Sequence, residues 1–236
     1  MKVIKQQEDI PACTEGDVKC VFQLNPDMIY VRQHVHAFEE DSLMRLMKRY
    51  NGEDIEAWIE GPTKNKCTVF YAPVQGSDWY TMKASTVMNI TMERAVQVLN
   101  DKDEVPKFDE NTDRLTILEQ VSDRTQIRLV SCKSVLFTTA RDFCVATTVQ
   151  RGVHGKTLIA TTSVDHEGGR DQSGYVRALS LISGYIVSPV ENHPEQCEIT
   201  VLAHMDLGGY LPGALMRFLG LSAPIKLLSK LKKLVE

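Results

Sequence analysis

The sequence predicts an α+β fold: a helix near the start, a long helix at the end, and consecutive strands between them that must pair antiparallel. Three observations carry this. Apolar residues recur at helical spacing near residues 38–51, 91–105 and 211–235. The stretch from about 113 to 206 is a succession of β-branched runs separated by turn signals. Strands follow strands without the regular helical insertions that a parallel sheet requires.

Taken in order, residues 1–26 are polar and weakly patterned, and are expected to form an arm before a single domain over 27–236. "FEEDSLMRLMKRYN" (38–51) spaces Phe38, Leu43, Leu46, Met47 and Tyr50 as one helical face, stopped by Asn51-Gly52. A short strand at Trp58, a turn at Gly61-Pro62-Thr63-Lys64-Asn65 and a strand "CTVFYAPV" follow. "YTMKASTVMN" (80–89) alternates Met82, Ala84, Thr86 and Met88 on one face. Thr91 then caps a helical stretch with Met92, Ala95, Val96 and Leu99 on one stripe. After an acidic linker around 101–113, about six strands run to Asp206, giving about nine in all. The tail from Leu211 is helical, opens with Pro212, and carries Gly220 and Pro224 as an expected weak point.

Composition narrows the function. The chain has 236 residues, 43% hydrophobic and 25% charged, with a net charge of −4. That balance argues against nucleic-acid binding, which needs a basic face to neutralise phosphates. "MKVIKQQEDI" has no apolar run of leader type, and no stretch approaches a membrane-spanning length. The six cysteines, at 13, 20, 67, 132, 144 and 197, form no C-x-x-C pair, so a reduced, cytoplasmic protein is expected.

Catalytic and nucleotide signatures are absent: no G-x-S-x-G, P-loop, H-E-x-x-H or G-x-G-x-x-G. His34-x-His36 lacks a third ligand nearby, the carboxylates of "DHEGGRDQSG" (165–174) do not fall at calcium-loop offsets, and Asp78 has no partner carboxylate. No metal and no cofactor are expected. Lys226, Lys230, Lys232 and Lys233 fit either a solvated helix end or contact with an anionic membrane.

A set of motifs in order carries a resemblance. These are Phe108-Asp109; Arg141-Asp142-Phe143 at the head of an apolar strand; Gly-Tyr-Val-Arg-Ala at 174–178; and Ser183-Gly184-Tyr185 with Pro189 downstream. Asp206, Gly208, Gly209, Tyr210, Leu211 and Pro212 then lead into the final helix. Across about residues 30–235 the chain resembles the START family, the steroidogenic-acute-regulatory-related lipid-transfer domains. The resemblance implies a helix-grip fold: a curved antiparallel sheet wrapped on a long C-terminal helix, with a lipid cavity between. It implies non-catalytic lipid binding and transfer.

On that reading, Val130, Val145, Thr147, Leu179, Leu181, Leu215, Phe218 and Leu219 are the candidates to line the cavity. Val135, Leu136 and Phe137 of "SVLFTT" (134–139), followed by Arg141, are the candidate gate against the C-terminal helix. The positions where relatives often carry an acid and an arginine fall near Val130 and Thr147, both uncharged here. That favours a neutral ligand such as a sterol, or a phospholipid held by other groups. Strand alternation puts Arg141 and Phe143 on one face and Asp142 on the other, with Asp142 expected to tie down a neighbouring turn or strand. The expected partners are a lipid and, transiently, a membrane surface, with the chain a monomer. Two alternatives stay open. One is a lipid-sensing regulatory domain. The other is a cyclase or hydrolase of the same superfold, for which His204, Tyr175, Tyr185 and Asp165 are the available polar groups.

Overall fold

The computed structural model describes residues 26–134 and 138–209, the helical backbone of 213–220, and backbone and side chains of 221–236. Two helices open it. α1 (Met28–Gln33) is capped by the Asp27 carboxylate, which accepts from Tyr30 N at 2.8 Å. α2 (Val35–Asn51) ends on Gly52, whose left-handed φ of 82° suits a residue without Cβ. Then come β1 (Ile59–Lys64), β2 (Cys67–Ala72) and β3 (Thr81–Met88), followed by α3 (Met92–Asn100), capped by Thr91, and the short α4 (Val105–Phe108). Seven strands follow: β4 (Thr112–Gln120), β5 (Thr125–Cys132), β6 (Ala140–Val153), β7 (Lys156–Ser163), β8 (Tyr175–Arg177), β9 (Leu179–Val190) and β10 (His193–Asp206). α5 (Gly213–Val235) closes the chain.

One curved, open sheet runs β1-β2-β3-β10-β9-β7-β6-β5-β4, antiparallel throughout, and is not closed into a barrel. β8 lies off this path and pairs in parallel with the first residues of β6. The helix-grip expectation and the count of about nine strands therefore hold, with β8 as an extra three-residue strand.

Each face of the sheet is covered differently. On the convex face, Leu46 of α2, with Leu43, Met47 and Tyr50, packs on Leu158, Ala160, Ile182, Ile186 and Leu202. Beside it, Met28 and Val31 of α1 and Phe38 pack on Ile127, Cys144 and Ala146. On the concave face, Val96 and Leu99 of α3, Phe108 of α4, and Ile225, Leu228 and Leu231 of α5 close over Val69, Ala84, Ile159, Val187 and Ile199. Fully burying each such aliphatic side chain contributes about 1.5–3 kcal/mol. Strand packing is tightest at Gly184, with φ of 148°: a Cβ there would stand 1.8 Å from the carbonyl oxygen of Ile159.

The structure departs from the sequence expectations in four places. α1 was not foreseen, because six residues are too few to show a period. α4 lies inside the stretch read as an acidic linker. Gly61-Pro62 belongs to β1 and not to the turn, which sits at Asn65-Lys66 with positive φ at both. Pro62 is tolerated because β1 is an edge strand with a register shift between Glu60 and Thr63. The Gly-Tyr-Val-Arg run is two strands, broken at Ala178. The expected C-terminal helix is present as α5, with Pro224 inside it. None of the described helices is long and apolar enough to cross a membrane.

Candidate functional site

The motif Arg141-Asp142-Phe143 opens β6, and strand alternation sends its two charges to opposite faces. Asp142, on the convex side, is buried and accepts from Arg177 Nε at 2.9 Å and Nη2 at 3.0 Å. The hydrogen bond to Asp142 raises the Arg177 guanidinium further, and Arg177 also donates to Gly169 O at 2.7 Å. Asp142 thus fixes β8 and the 165–170 turn against β6. Arg141, on the concave side, donates to Leu207 O at 3.2 Å and Gly208 O at 3.5 Å, and also to Thr139 O. It ties the end of β10 to the start of β6.

Register carries the concave face outward from β6. Val145 pairs with Arg128 on β5 and Ser163 on β7; Thr147 pairs with Thr161; Phe143 pairs with Val130. Thr161 continues to Ser183, Ile159 to Tyr185 and Tyr185 to Val201, while Ala203 reaches Met82 on β3. Phe143, Val145 and Ala178 form a small cluster with Val130, Met205 and Leu207. Several mid-sheet members of this face, among them Met82, Thr161, Tyr185 and Ala203, remain partly accessible. Their neighbours on the convex face, such as Ala160, Ile182 and Leu202, are buried.

Val130, Val145 and Thr147 therefore share the concave face, and the Thr147 hydroxyl meets that of Thr161 at 3.2 Å. Leu179 does not join them. It pairs with Asp206, one residue from the pair of Ser180 with Met205, and so lies on the opposite face. Leu181 sits at a bulge in the β9–β10 ladder, where its carbonyl accepts from Arg45 Nη2 at 2.5 Å and Thr162 Oγ1 at 3.3 Å. The side chains of Leu215, Phe218 and Leu219, on α5, lie outside the described residues, as do Val135, Leu136 and Phe137.

Two polar groups of this face were not singled out as cavity residues from sequence. Arg128, in register with Val145, is buried and donates to Asn100 at the end of α3, at 3.1 Å to O and 2.6 Å to Oδ1. Burial lowers its guanidinium to about 10, and the site at a helix C-terminus favours its charge. Its signal was a charge at an inward position of an alternating strand. Asp109, just after α4, accepts from Asn111 N at 3.2 Å and Thr112 Oγ1 at 2.7 Å. Burial pushes its carboxyl up. Tyr185, named from sequence only for the enzyme alternative, also belongs here. Burial, with the nearby Asp109 charge, raises its phenol, and its hydroxyl makes no hydrogen bond to a described residue.

Other candidates are committed elsewhere. His204 faces the convex side. Arg49 Nη1 donates to its Nδ1 at 2.8 Å, so its Nε2–H faces Ser77 Oγ at 3.1 Å. Burial, with the Arg49 charge, pulls its imidazole down to about 4. Glu119, His166 and Glu167 bring ligand atoms within 4.8 Å of one another. The Arg32 guanidinium already lies on both carboxylates, at 2.6 and 2.9 Å. His34 stacks on Tyr30, while His36 points to Glu39 at 3.8 Å. Lys230 and Lys226 reach Glu110 at 2.7 and 3.8 Å, and Lys232 donates to Val87 O at 2.9 Å.

A family model described as "START domain" matches residues 38–236. The curated proteins named StAR-related lipid transfer protein 5, from Pongo abelii and from Homo sapiens, are each 28% identical over 108 residues, 45% of this chain and 51% of theirs. The chain spans about half the length of the curated relatives it matches. Among solved structures, human StAR-related lipid transfer protein 5 superposes with a TM-score of 0.79 at 20% identity, covering 86% of this chain and 97% of its own. Human STARD10 superposes at 0.69 with 21% identity, covering 79% and 76%. At these identities the structures speak for the fold.

Proposed function

The chain belongs to the START domain family, and from that premise we propose that it binds one lipid between the concave face and α5 and carries it between membranes. The observation that supports this most is a set of partly accessible mid-sheet residues on the concave face, set among buried ones such as Ile159, Ser183 and Val201. Met82, Thr161, Tyr185 and Ala203 lie in the middle of the sheet on the face that α5 covers, yet they stay partly accessible. A solid sheet–helix core would close them as it closes Ala160 and Leu202.

The step is physical and needs no covalent chemistry. At roughly 0.8 kcal/mol per buried CH₂, one long acyl chain taken from water gains on the order of 10 kcal/mol. A dry site of similar quality lowers the cost of leaving a bilayer. Val130, Val145 and Thr147 would line that site with Leu215, Phe218 and Leu219. Gating by residues 134–139 and α5 is part of the proposal and rests on the apolar Val135-Leu136-Phe137. The enzyme alternative loses one of its groups, because His204 is spent on Arg49 and Ser77 on the other face. Placement in the cytoplasm with peripheral membrane contact, and a monomeric state, complete the reading.

The test is lipid transfer between donor and acceptor liposomes, with native mass spectrometry of the purified chain. We expect a one-to-one lipid complex and accelerated transfer, slowed by replacing Leu136 and Phe137 with Ser. A chain that neither carries nor moves any lipid would sink the reading.

A further inference from the structure

Each charge described on the concave face is already engaged. Arg128 is held by Asn100 and Gln126, Arg141 by the carbonyls of Thr139, Leu207 and Gly208, and Asp109 by Asn111 N and Thr112. These neutral partners hold both guanidinium groups in place, Arg128 through Nε and Nη2, and Asp109 lies on the side from which Tyr185 feels its field. An anionic head group there would meet a carboxyl.

Tyr185 differs from these. Its partners across the strands, Ile159 and Val201, are apolar, and its ring rests against the core beneath α3 and α5. It stands in mid-sheet and is partly accessible, while its hydroxyl bonds to no described residue. The hydroxyl is not among the buried polar atoms left without a partner, so the cost falls when a ligand covers it: a hydroxyl then left unmet costs about 1–3 kcal/mol. A group that both donates and accepts, and carries no charge, meets the need beside a carboxyl.

We infer that the Tyr185 hydroxyl is the polar anchor of the lipid site and selects an uncharged lipid bearing a hydroxyl over the same lipid without one. The inference rests on the lipid-binding reading above. Apolar burial supplies the affinity, and the phenol supplies the choice, since a site with a polar group left unpaired rejects the analogue that cannot meet it.

The test compares wild type with Tyr185→Phe against two pairs of probes, by competition for the loaded complex. One pair is a monohydroxy sterol and its deoxy hydrocarbon; the other is a diacylglycerol and its 3-deoxy analogue. Wild type should prefer at least one alcohol about tenfold, the scale of one hydrogen bond. Tyr185→Phe should bring that ratio to about one, with the deoxy affinity equal to or above that of wild type. Its Tm should stay at the wild-type value, because the hydroxyl has no internal partner. A Tyr185→Phe protein that keeps the preference overturns the inference. A wild type that binds deoxy and hydroxy probes equally overturns it too, while leaving lipid binding intact. A wild type that binds none of the four overturns both.

Discussion

On the convex face of β7, β9 and β10, Leu158, Ala160, Ile182 and Leu202 are shut beneath α2, while on the concave face of the same strands Thr161, Tyr185 and Ala203 stay partly accessible beneath α5. The strands are common to both faces, so β-propensity cannot distinguish them. What differs is the opposite layer. α2 lies flat with Leu46 pointing down. Among the described side chains of α5, Ile225, Leu228 and Leu231 pack down onto β2, β3 and their neighbours. The convex face also holds paired charge. Glu39 is fully buried; burial alone would raise its carboxyl, but hydrogen bonds from Ser122 and Thr125 and the Arg124 charge hold it low. The convex face is closed by these residues, while the concave face keeps a few partly accessible positions among buried ones.

This comparison can be broken or sharpened by substitution. The largest effect is expected at the closed face: Leu46→Ala should cost about 4 kcal/mol in urea unfolding and leave lipid affinity unchanged. A cost under about 1 kcal/mol would mean that α2 does not seal the sheet. Next, Arg177→Leu leaves Asp142 buried without its partner and should cost about 3 kcal/mol by the same measurement.

Acid should act on the closed face as well. His204 has a folded pKa of about 4, below its unfolded 6.5, so the unfolded chain binds more protons between those values. Its contribution is present above about pH 6.5 and is lost as the pH falls toward 4, to a limit of about 3 kcal/mol. Replacing His204 with Gln should flatten that part of a stability–pH curve. An unchanged slope would place the acid sensitivity elsewhere.

The smallest stability effect is expected on the accessible face. Ala203→Phe fills space in place of displacing packed atoms, and should change unfolding free energy by about 1 kcal/mol or less. It should nonetheless abolish lipid uptake in native mass spectrometry. A large loss of stability there would show that the concave face is packed after all.

Much of this arrangement was legible in the residues, for reasons that can be named. Alternation along "RDFCVATT" assigned Arg141, Phe143, Val145 and Thr147 to one face and Asp142 to the other, and the register agrees. A period of two survives wherever the strand is regular. It fails at irregularities, as with Leu179 and Leu181, which flank the shift in the β9–β10 ladder. Short elements such as α1 and α4 leave too little pattern to read. The Arg177 partner of Asp142 was beyond sequence, since 35 residues separate them and a parallel pairing brings them together. Arg128 was visible as an inward charge, but its destination at the end of α3 required the fold.

An open sheet has two ends, and here these are β1 and β4. Unpaired strand edges are templates on which another chain can add, a route to precipitation. β1 carries Pro62, which offers no N–H, a register shift, and the exposed charges Glu60 and Lys64. β4 carries Asp113 and Arg114, with exposed Ile117 as its one apolar blemish. If lipid is held between the layers as proposed, and the layers part to release it, edges that resist self-association would protect the chain during that exposure.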